Sequence, residues 1–202
     1  MTKRIIDFLL SVLVLITLLP FLVLILIYVS FVNRQFPIIA QKRKITLEKQ
    51  SIKILKIRTI KLHNEINKFG RLPKTILSNN EMKDNVPMFC RWLRKSGLDE
   101  TPQLLNVIKG EMSLVGPRPL LAADLLIMEK FEPEFYYRRT EINSLPGITG
   151  NWQVYGDRSK GLKNLIELDE EYEAQKTIMF DIKIIFRSIK IFFTATHSDA
   201  IV

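Results

Sequence analysis

Residues 8–32 read FLLSVLVLITLLPFLVLILIYVSFV, 25 consecutive positions without a charged side chain and with Pro20 near the middle. No soluble fold needs so long an uninterrupted apolar run, so the stretch marks a membrane segment. As a helix rising ~1.5 Å per residue it reaches about 37 Å, enough for a hydrocarbon core of roughly 30 Å. Pro20 has no N–H to offer the Ile16 carbonyl, and its ring crowds that group, which predicts a bend. Both flanks are basic: Lys3 and Arg4 before the run, and Arg34, Lys42, Arg43 and Lys44 after it. Lys and Arg beside a membrane helix tend to stay on the cytoplasmic side, so neither end stands out as the one to translocate. Two topologies fit these residues. One is a tilted span kinked at Pro20; the other is a helix that enters, bends at Pro20 and leaves by the same face.

The run is too long for the core of a signal peptide, and no small-residue cleavage site follows it, so an anchor in the mature protein is expected. The chain has 202 residues. Setting the apolar run aside leaves roughly 170, enough for one domain with a real core. A single cysteine, Cys90, excludes an internal disulfide and suits a reducing compartment. It reads as a packing residue.

Charge is uneven along the chain. Residues 33–95 hold 16 Lys and Arg against 4 Asp and Glu, whereas residues 96–135 hold 3 against 7. A basic region beside a membrane anchor fits attraction to anionic lipid headgroups, worth about 1 kcal/mol per cation near the surface. Nucleic-acid binding is disfavoured, because no nucleic-acid motif is present and few aromatics interleave the cations. The expected partner is phosphate, on a lipid or a nucleotide.

Beyond the apolar run, Phe36–Ala40 and Ser51–Ile60 read as two short strands around KRKITLEKQ, a small hairpin. Residues 61–83 are polar and irregular, with Asn79-Asn80 as a loop tip. A helix is expected from Val86 to Ser96, capped by Asn85 and stopped by Gly97. In GLDETPQLLNVIKG, Thr101 and Pro102 read as N-cap and first helical residue, with Gly110 as the stop. GPRP at 116–119 breaks the chain before a helix from about Leu120 to Lys130. NSLPGITGNWQVYGDRS (143–159) reads as a Gly-rich loop. A polar helix follows over 162–175, and an amphipathic one from Thr177 to Phe193. The broad apolar surface of the last helix suits either a core or a membrane interface, and its cationic edge with Phe192 and Phe193 favours the interface.

Asp99-Glu100 is the pair with chemical interest. Adjacent carboxylates ahead of a helix can hold Mg²⁺ together with substrate phosphates, or present a nucleophile to phosphorus. Acidic residues at helix starts also occur with no chemical role. Arg118 sits between Pro117 and Pro119, which restrict the backbone that aims it, a property that suits a guanidinium engaging phosphate oxygens in pairs. An exposed arginine in a helix-breaking turn would look the same. Arg58 and Arg94 are further phosphate-contact candidates. His63 and His197 have no partner at metal-ligand spacing, and serine-hydrolase, zinc and Walker-type signatures are absent.

LDETPQLLNVIKGEMSLVGPRPLL (98–121), followed by PGITGNWQV (146–154), resembles the bacterial sugar transferase family, the small monotopic phosphoglycosyl transferases. KRIIDF (3–8) and ELDEEY (167–172) fit the same pattern, so the resemblance covers nearly the whole chain. It implies transfer of a sugar-1-phosphate from a UDP-sugar to a polyprenol phosphate, usually undecaprenyl phosphate, with release of UMP at the start of a surface glycan. It also implies Mg²⁺ dependence and a covalent aspartyl phosphosugar. On this chain Asp99 matches the nucleophile and Glu100 its partner, serving the metal or proton transfer. Arg118 matches the Pro-Arg-Pro arginine, Arg94 the arginine before the dyad, and Arg58 a basic residue of the strand segment. The resemblance favours a re-entrant N-terminal helix (1–33) on a catalytic domain (34–202) at the cytoplasmic face of the bacterial inner membrane.

Three departures stand out. The hinge is Leu19-Pro20 and not Ser-Pro, with Thr17 available as a substitute hydroxyl. The strand cation is Arg58, where some relatives have Lys. Asp157-Arg158 stands where an arginine commonly follows the glycine, which puts a donor-substrate contact from that loop in doubt. The fold expected is α/β and mainly helical, with amphipathic helices at the membrane interface. The sugar and the oligomeric state, a homo-oligomer included, stay open. A non-enzymatic scaffold docking anionic lipids would explain the anchor and the charge, but not an acidic pair near a Pro-held arginine.

Overall fold

A computed structural model describes residues 2–60 and 86–194, apart from the side chain of Arg158. The expected loop over 61–83, the Asn85 cap, His63 and His197 fall outside them. The described residues are mainly helical, with two small two-stranded sheets.

Helix α1 runs unbroken from Thr2 to Asn33 with Pro20 inside it, and Arg34 ends it in the left-handed region (φ 53°). Thr17 donates its hydroxyl to the Leu13 carbonyl at 2.9 Å, one turn back, so it does not serve the Ile16 carbonyl that Pro20 leaves open. Asp7, Ser11, Leu22, Val29 and Asn33 are buried, and Leu15 and Ile25 half-buried, all on one stripe at helical spacing. Most other side chains face outward, among them Leu9, Leu13, Ile16, Phe21, Leu24, Ile27 and Phe31. By length and composition α1 is able to cross a membrane.

Both ends of α1 are fastened to the same body. At the start, Lys3 Nζ meets Asp181 at 2.5 Å, Arg4 Nη2 donates to Ile108 O at 3.0 Å, and Ser113 Oγ donates to Asp7 at 2.6 Å. At the end, Asn33 donates to Arg58 O at 2.7 Å and Tyr28 packs edge-on to Phe89 at 4.9 Å.

Strands β1 (Ile38–Arg43) and β2 (Ile52–Ile57) form the expected hairpin, paired from Ile38↔Ile57 to Arg43↔Ile52. β1 extends into the segment expected as turn. Helix α2 (Met88–Ser96) starts after Pro87, two residues later than expected, and ends where Gly97 takes φ 77°. Cys90 and Leu93 are fully buried with Leu22, Val29, Ile57 and Leu98, a core worth roughly 1.5–3 kcal/mol per large side chain. Asp99 and Glu100 lie in a 3₁₀ turn, Leu98–Gln103, and α3 (Leu104–Lys109) begins only after it. Thr101 is therefore not an N-cap; its hydroxyl donates back to Leu98 O at 2.7 Å and closes the turn.

Two features were not foreseen. The Gly-rich loop contains strand β4 (Gly147–Thr149), parallel to β3 (Ser113–Val115), and a short helix α6 (Asn151–Tyr155). Helix α4 (Ala122–Phe131) is followed by a second helix, α5 (Pro133–Thr140), because Pro133 forces Glu132 out of helical geometry (φ −136°, ψ 57°). Helices α7 (Gly161–Gln175) and α8 (Ile178–Thr194) stand close to expectation. On α8, Asp181 and Ile184 face inward while Met179, Ile182, Phe186, Ile189 and Phe193 form an exposed apolar stripe.

Candidate active site

Asp99 and Glu100 are both buried, each 8% exposed, in the tight turn that Gly97 opens. Glu100 forms an ion pair with Lys56 of β2. Desolvation and then the neighbouring Glu100 charge push Asp99 up to about 6 from an ordinary 3.8, while Lys56 and Arg94 pull it back. Asp99 thus combines a raised basicity with ionisation at neutral pH, a balance suited to a nucleophilic carboxylate.

A cleft beside the dyad is lined by Glu100, Lys56, Gln103, Arg43, Arg118 and Gln153, so segments distant in sequence meet on one surface. Arg118 arrives there because β3 and β4 pair backbone to backbone. Gly116 N donates to Thr149 O and Gly147 N to Pro117 O, both at 3.0 Å. No side chain fits between them: a Cβ on Gly147 would lie 2.1 Å from Gly116 N. Leu120 and Lys44 then exchange both backbone bonds at 2.8 Å, tying the end of the Pro-Arg-Pro segment to the hairpin.

Of the residues singled out from sequence, Glu100 and Arg118 line the cleft, whereas Asp99 adjoins Glu100 in the turn without lining it, and Arg94 acts on Asp99 electrostatically while its Nη1 donates to Thr59 at 3.3 Å. Arg58 is not among the cleft-lining residues. Its Nε donates to Phe36 O at 2.9 Å, and Lys56, two positions earlier, supplies the cation to the dyad. Asp157 turns inward on its own loop, accepting from the Ser159 N–H at 2.9 Å and hydroxyl at 2.6 Å, bonds that hold its carboxyl below the usual range. The Arg158 side chain lies outside the described residues.

Gln103 was missed by sequence reasoning. It is 2% exposed, lines the cleft, and its buried Nε2 has no hydrogen-bond partner among the described residues. For a divalent cation the donors are hard carboxylate oxygens. Among the described residues no group of three or more His, Cys, Asp or Glu is placed to hold a metal. Asp99 and Glu100, whose mutual repulsion a cation would relieve, fit Mg²⁺ in the mode that relies on substrate phosphates and water for its remaining ligands.

The family model described as "Bacterial sugar transferase" matches residues 1–195. The chain is 33% identical to "Exopolysaccharide production protein ExoY" of Sinorhizobium fredii, over 93% of this chain and 84% of that protein. It is 34% identical to "Undecaprenyl-phosphate glucose phosphotransferase" of Komagataeibacter xylinus, over 93% of this chain but 35% of that longer protein. A third relative, "UDP-glucose:undecaprenyl-phosphate glucose-1-phosphate transferase" of Escherichia coli, is 30% identical over 93% of this chain and 39% of its own length. With a family model covering almost its full length, this chain belongs to the bacterial sugar transferase family.

Proposed function

We propose that the protein is a membrane-associated phosphoglycosyl transferase. It moves a sugar-1-phosphate from a UDP-sugar to undecaprenyl phosphate, releases UMP, and so begins a surface glycan. The observation that carries this reading is the buried Asp99-Glu100 pair, with Asp99 raised in basicity, beside a cleft that also holds Lys56, Arg118 and Gln103. Two relatives whose names specify undecaprenyl-phosphate glucose transfer support the acceptor and the reaction class.

In this mechanism an Asp99 oxygen attacks the phosphorus bonded to the sugar. The new Asp–O–P bond forms as the bridging P–O bond breaks, and the bridging oxygen leaves with UMP. An undecaprenyl phosphate oxygen then attacks the same phosphorus, freeing Asp99 and giving the lipid diphosphosugar. Attacker and target are both anionic, so Arg118, Arg94 and Lys56 offset their repulsion and stabilise charge on the departing UMP. Mg²⁺ held by Asp99, Glu100 and the diphosphate would add to that charge stabilisation. The direct test is UMP release from a panel of UDP-sugars with undecaprenyl phosphate. No release from any member would exclude the reaction and favour a lipid-docking scaffold.

Lys56→Met tests the electrostatics. Lys56 lowers the Asp99 pKa, so its loss should move the acid limb of kcat/KM to higher pH and reduce the plateau about tenfold or more. An acid limb that stays in place would show that Asp99 is not the group titrating there.

We further propose that α1 is re-entrant, with both its ends and the catalytic body at the cytoplasmic face of the inner membrane. Support comes from the polar fastening of Lys3, Arg4 and Asp7 to the body that also holds Asn33. A straight span would carry the first turn away from Asp181 and Ser113 and leave Lys3 and Asp7 without those partners. The outward faces of α1 and the apolar stripe of α8 supply the surface that meets lipid. Single cysteines at Thr2 and Phe36, both exposed, in a Cys90→Ser background should react with a membrane-impermeant thiol reagent only after the cytoplasmic side is opened. Labelling of position 2 from the periplasm would establish an ordinary span.

A further inference from the structure

Arg139 and Asp169 form an ion pair at 2.8 Å with side chains 0% and 1% exposed. A buried pair is a poor source of stability, since well-packed apolar residues in its place are often neutral or stabilising. Its neighbours on α7, Leu165, Ile166 and Tyr172, are themselves buried, so apolar replacements would have company. What the charged pair provides, and an apolar pair would not, is one donor and one acceptor for the backbone of Arg118. The Arg118 N–H donates to Asp169 Oδ1 at 3.3 Å, and Arg139 Nη2 donates to the Arg118 carbonyl. Arg139 Nε is fixed in turn on Ile45 O at 2.7 Å. Pro117 and Pro119 carry no N–H, so Arg118 offers the only backbone donor of the tripeptide, and the pair takes it.

We infer that Arg139 and Asp169 are positioning residues for Arg118: they hold its peptide groups from both sides so that the guanidinium meets the substrate phosphate without a conformational search. This rests on the proposed reading of Arg118 as a phosphate contact. The pair reaches no substrate itself. Its effect is geometric, and a displacement of about 1 Å at a reacting group can cost on the order of 10²-fold in rate.

The test uses the full chain in detergent or nanodiscs, with Arg139→Met/Asp169→Leu as the main variant. Exchange of the Arg118 amide, followed by hydrogen–deuterium mass spectrometry on a peptide spanning 116–119, should speed up while the variant still folds, with exchange in the α1 and hairpin peptides unchanged. Turnover should fall about tenfold or more. Adding Arg118→Ala in that background should cost much less than the same change in the wild type, because an unheld guanidinium has less to lose. A folded double variant with unchanged Arg118 exchange, or one in which Arg118→Ala costs its full wild-type factor, overturns the inference. If the double variant does not fold, Arg139→Lys decides by the same two criteria, since it keeps the charge on Asp169 but loses the fork that reaches the Arg118 carbonyl. Should the wild type release no UMP, the proposed function fails, and the exchange measurement still decides whether the pair holds Arg118.

Discussion

Asp99→Asn is expected to abolish UMP release and the covalent adduct together, a loss on the order of 10³-fold or more. Asparagine keeps the size and much of the hydrogen bonding of the turn but is no nucleophile toward phosphorus. Glu100→Gln should also be severely impaired, with some activity recovered at high Mg²⁺ if its role is to serve the metal. The same Asp99 substitution should stabilise the protein in EDTA. Burial and the Glu100 charge push the Asp99 carboxyl up to about 6 in the fold from an ordinary 3.8, so between those pH values the folded chain binds more protons than the unfolded one. Stability therefore falls as pH rises through that window, and the full cost of the buried charge is present at neutral pH. Asparagine removes that cost, so Asp99→Asn should melt a few degrees higher at neutral pH, with no advantage at pH values below the window. A variant that is inactive and also melts lower at neutral pH would show that Asp99 supports the fold and is not a strained catalytic group.

The second large effect is expected at Arg118. Arg118→Lys keeps one positive charge and loses the planar fork, so turnover should fall about 10²-fold or more. Folding should survive, because the body grips residue 118 by its backbone: the N–H on Asp169, the carbonyl on Arg139, and the flanking pairing of Leu120 with Lys44. Melting temperature and kcat separate the two roles. Near-wild-type turnover in Arg118→Lys would show that charge alone suffices there and that paired oxygen recognition is absent.

How far the sequence disclosed this arrangement varied with the physics of each element. The apolar run of α1 and the glycine stop at Gly97 were legible because each depends on local chain properties: hydropathy over many residues, and tolerance of positive φ. The hairpin was legible for the same reason, although β1 ran further than its turn-rich sequence suggested. Thr101-Pro102 misled because a good N-cap and first-turn signal sits inside a 3₁₀ turn, whose i→i+3 bonding is set by the Gly97 reversal just before it. β3 and β4 have three residues each, too few to show a period of two, and their pairing depends on glycines at 116 and 147 that permit close backbone approach.

Within the site, the dyad and the Pro-Arg-Pro arginine stood out in the sequence, but the choice of strand cation did not follow from it. Lys56 and Arg58 share one alternation, and only the end of β2 at Ile57 and the Phe36 carbonyl, which takes the Arg58 guanidinium, separate them. Asp169 did leave a usable signal. It lies with Leu165, Ile166 and Tyr172 on the inward stripe of an otherwise polar helix, and a carboxylate on an apolar stripe calls for a buried cation. Nothing in the residues around Arg139 named it as that cation, because α5 itself was not expected.

Asp99 is proposed to carry the phosphosugar between donor and acceptor. Purified protein incubated with a UDP-sugar substrate and no lipid acceptor, then quenched, digested and analysed by mass spectrometry, tests it most directly. One equivalent of UMP released per active enzyme is expected, with a phosphosugar mass on the peptide containing Asp99 that is lost when undecaprenyl phosphate is added. UMP release that strictly requires the acceptor, with no adduct at Asp99 while lipid diphosphosugar still forms, would contradict it and assign the transfer to direct attack by the lipid phosphate.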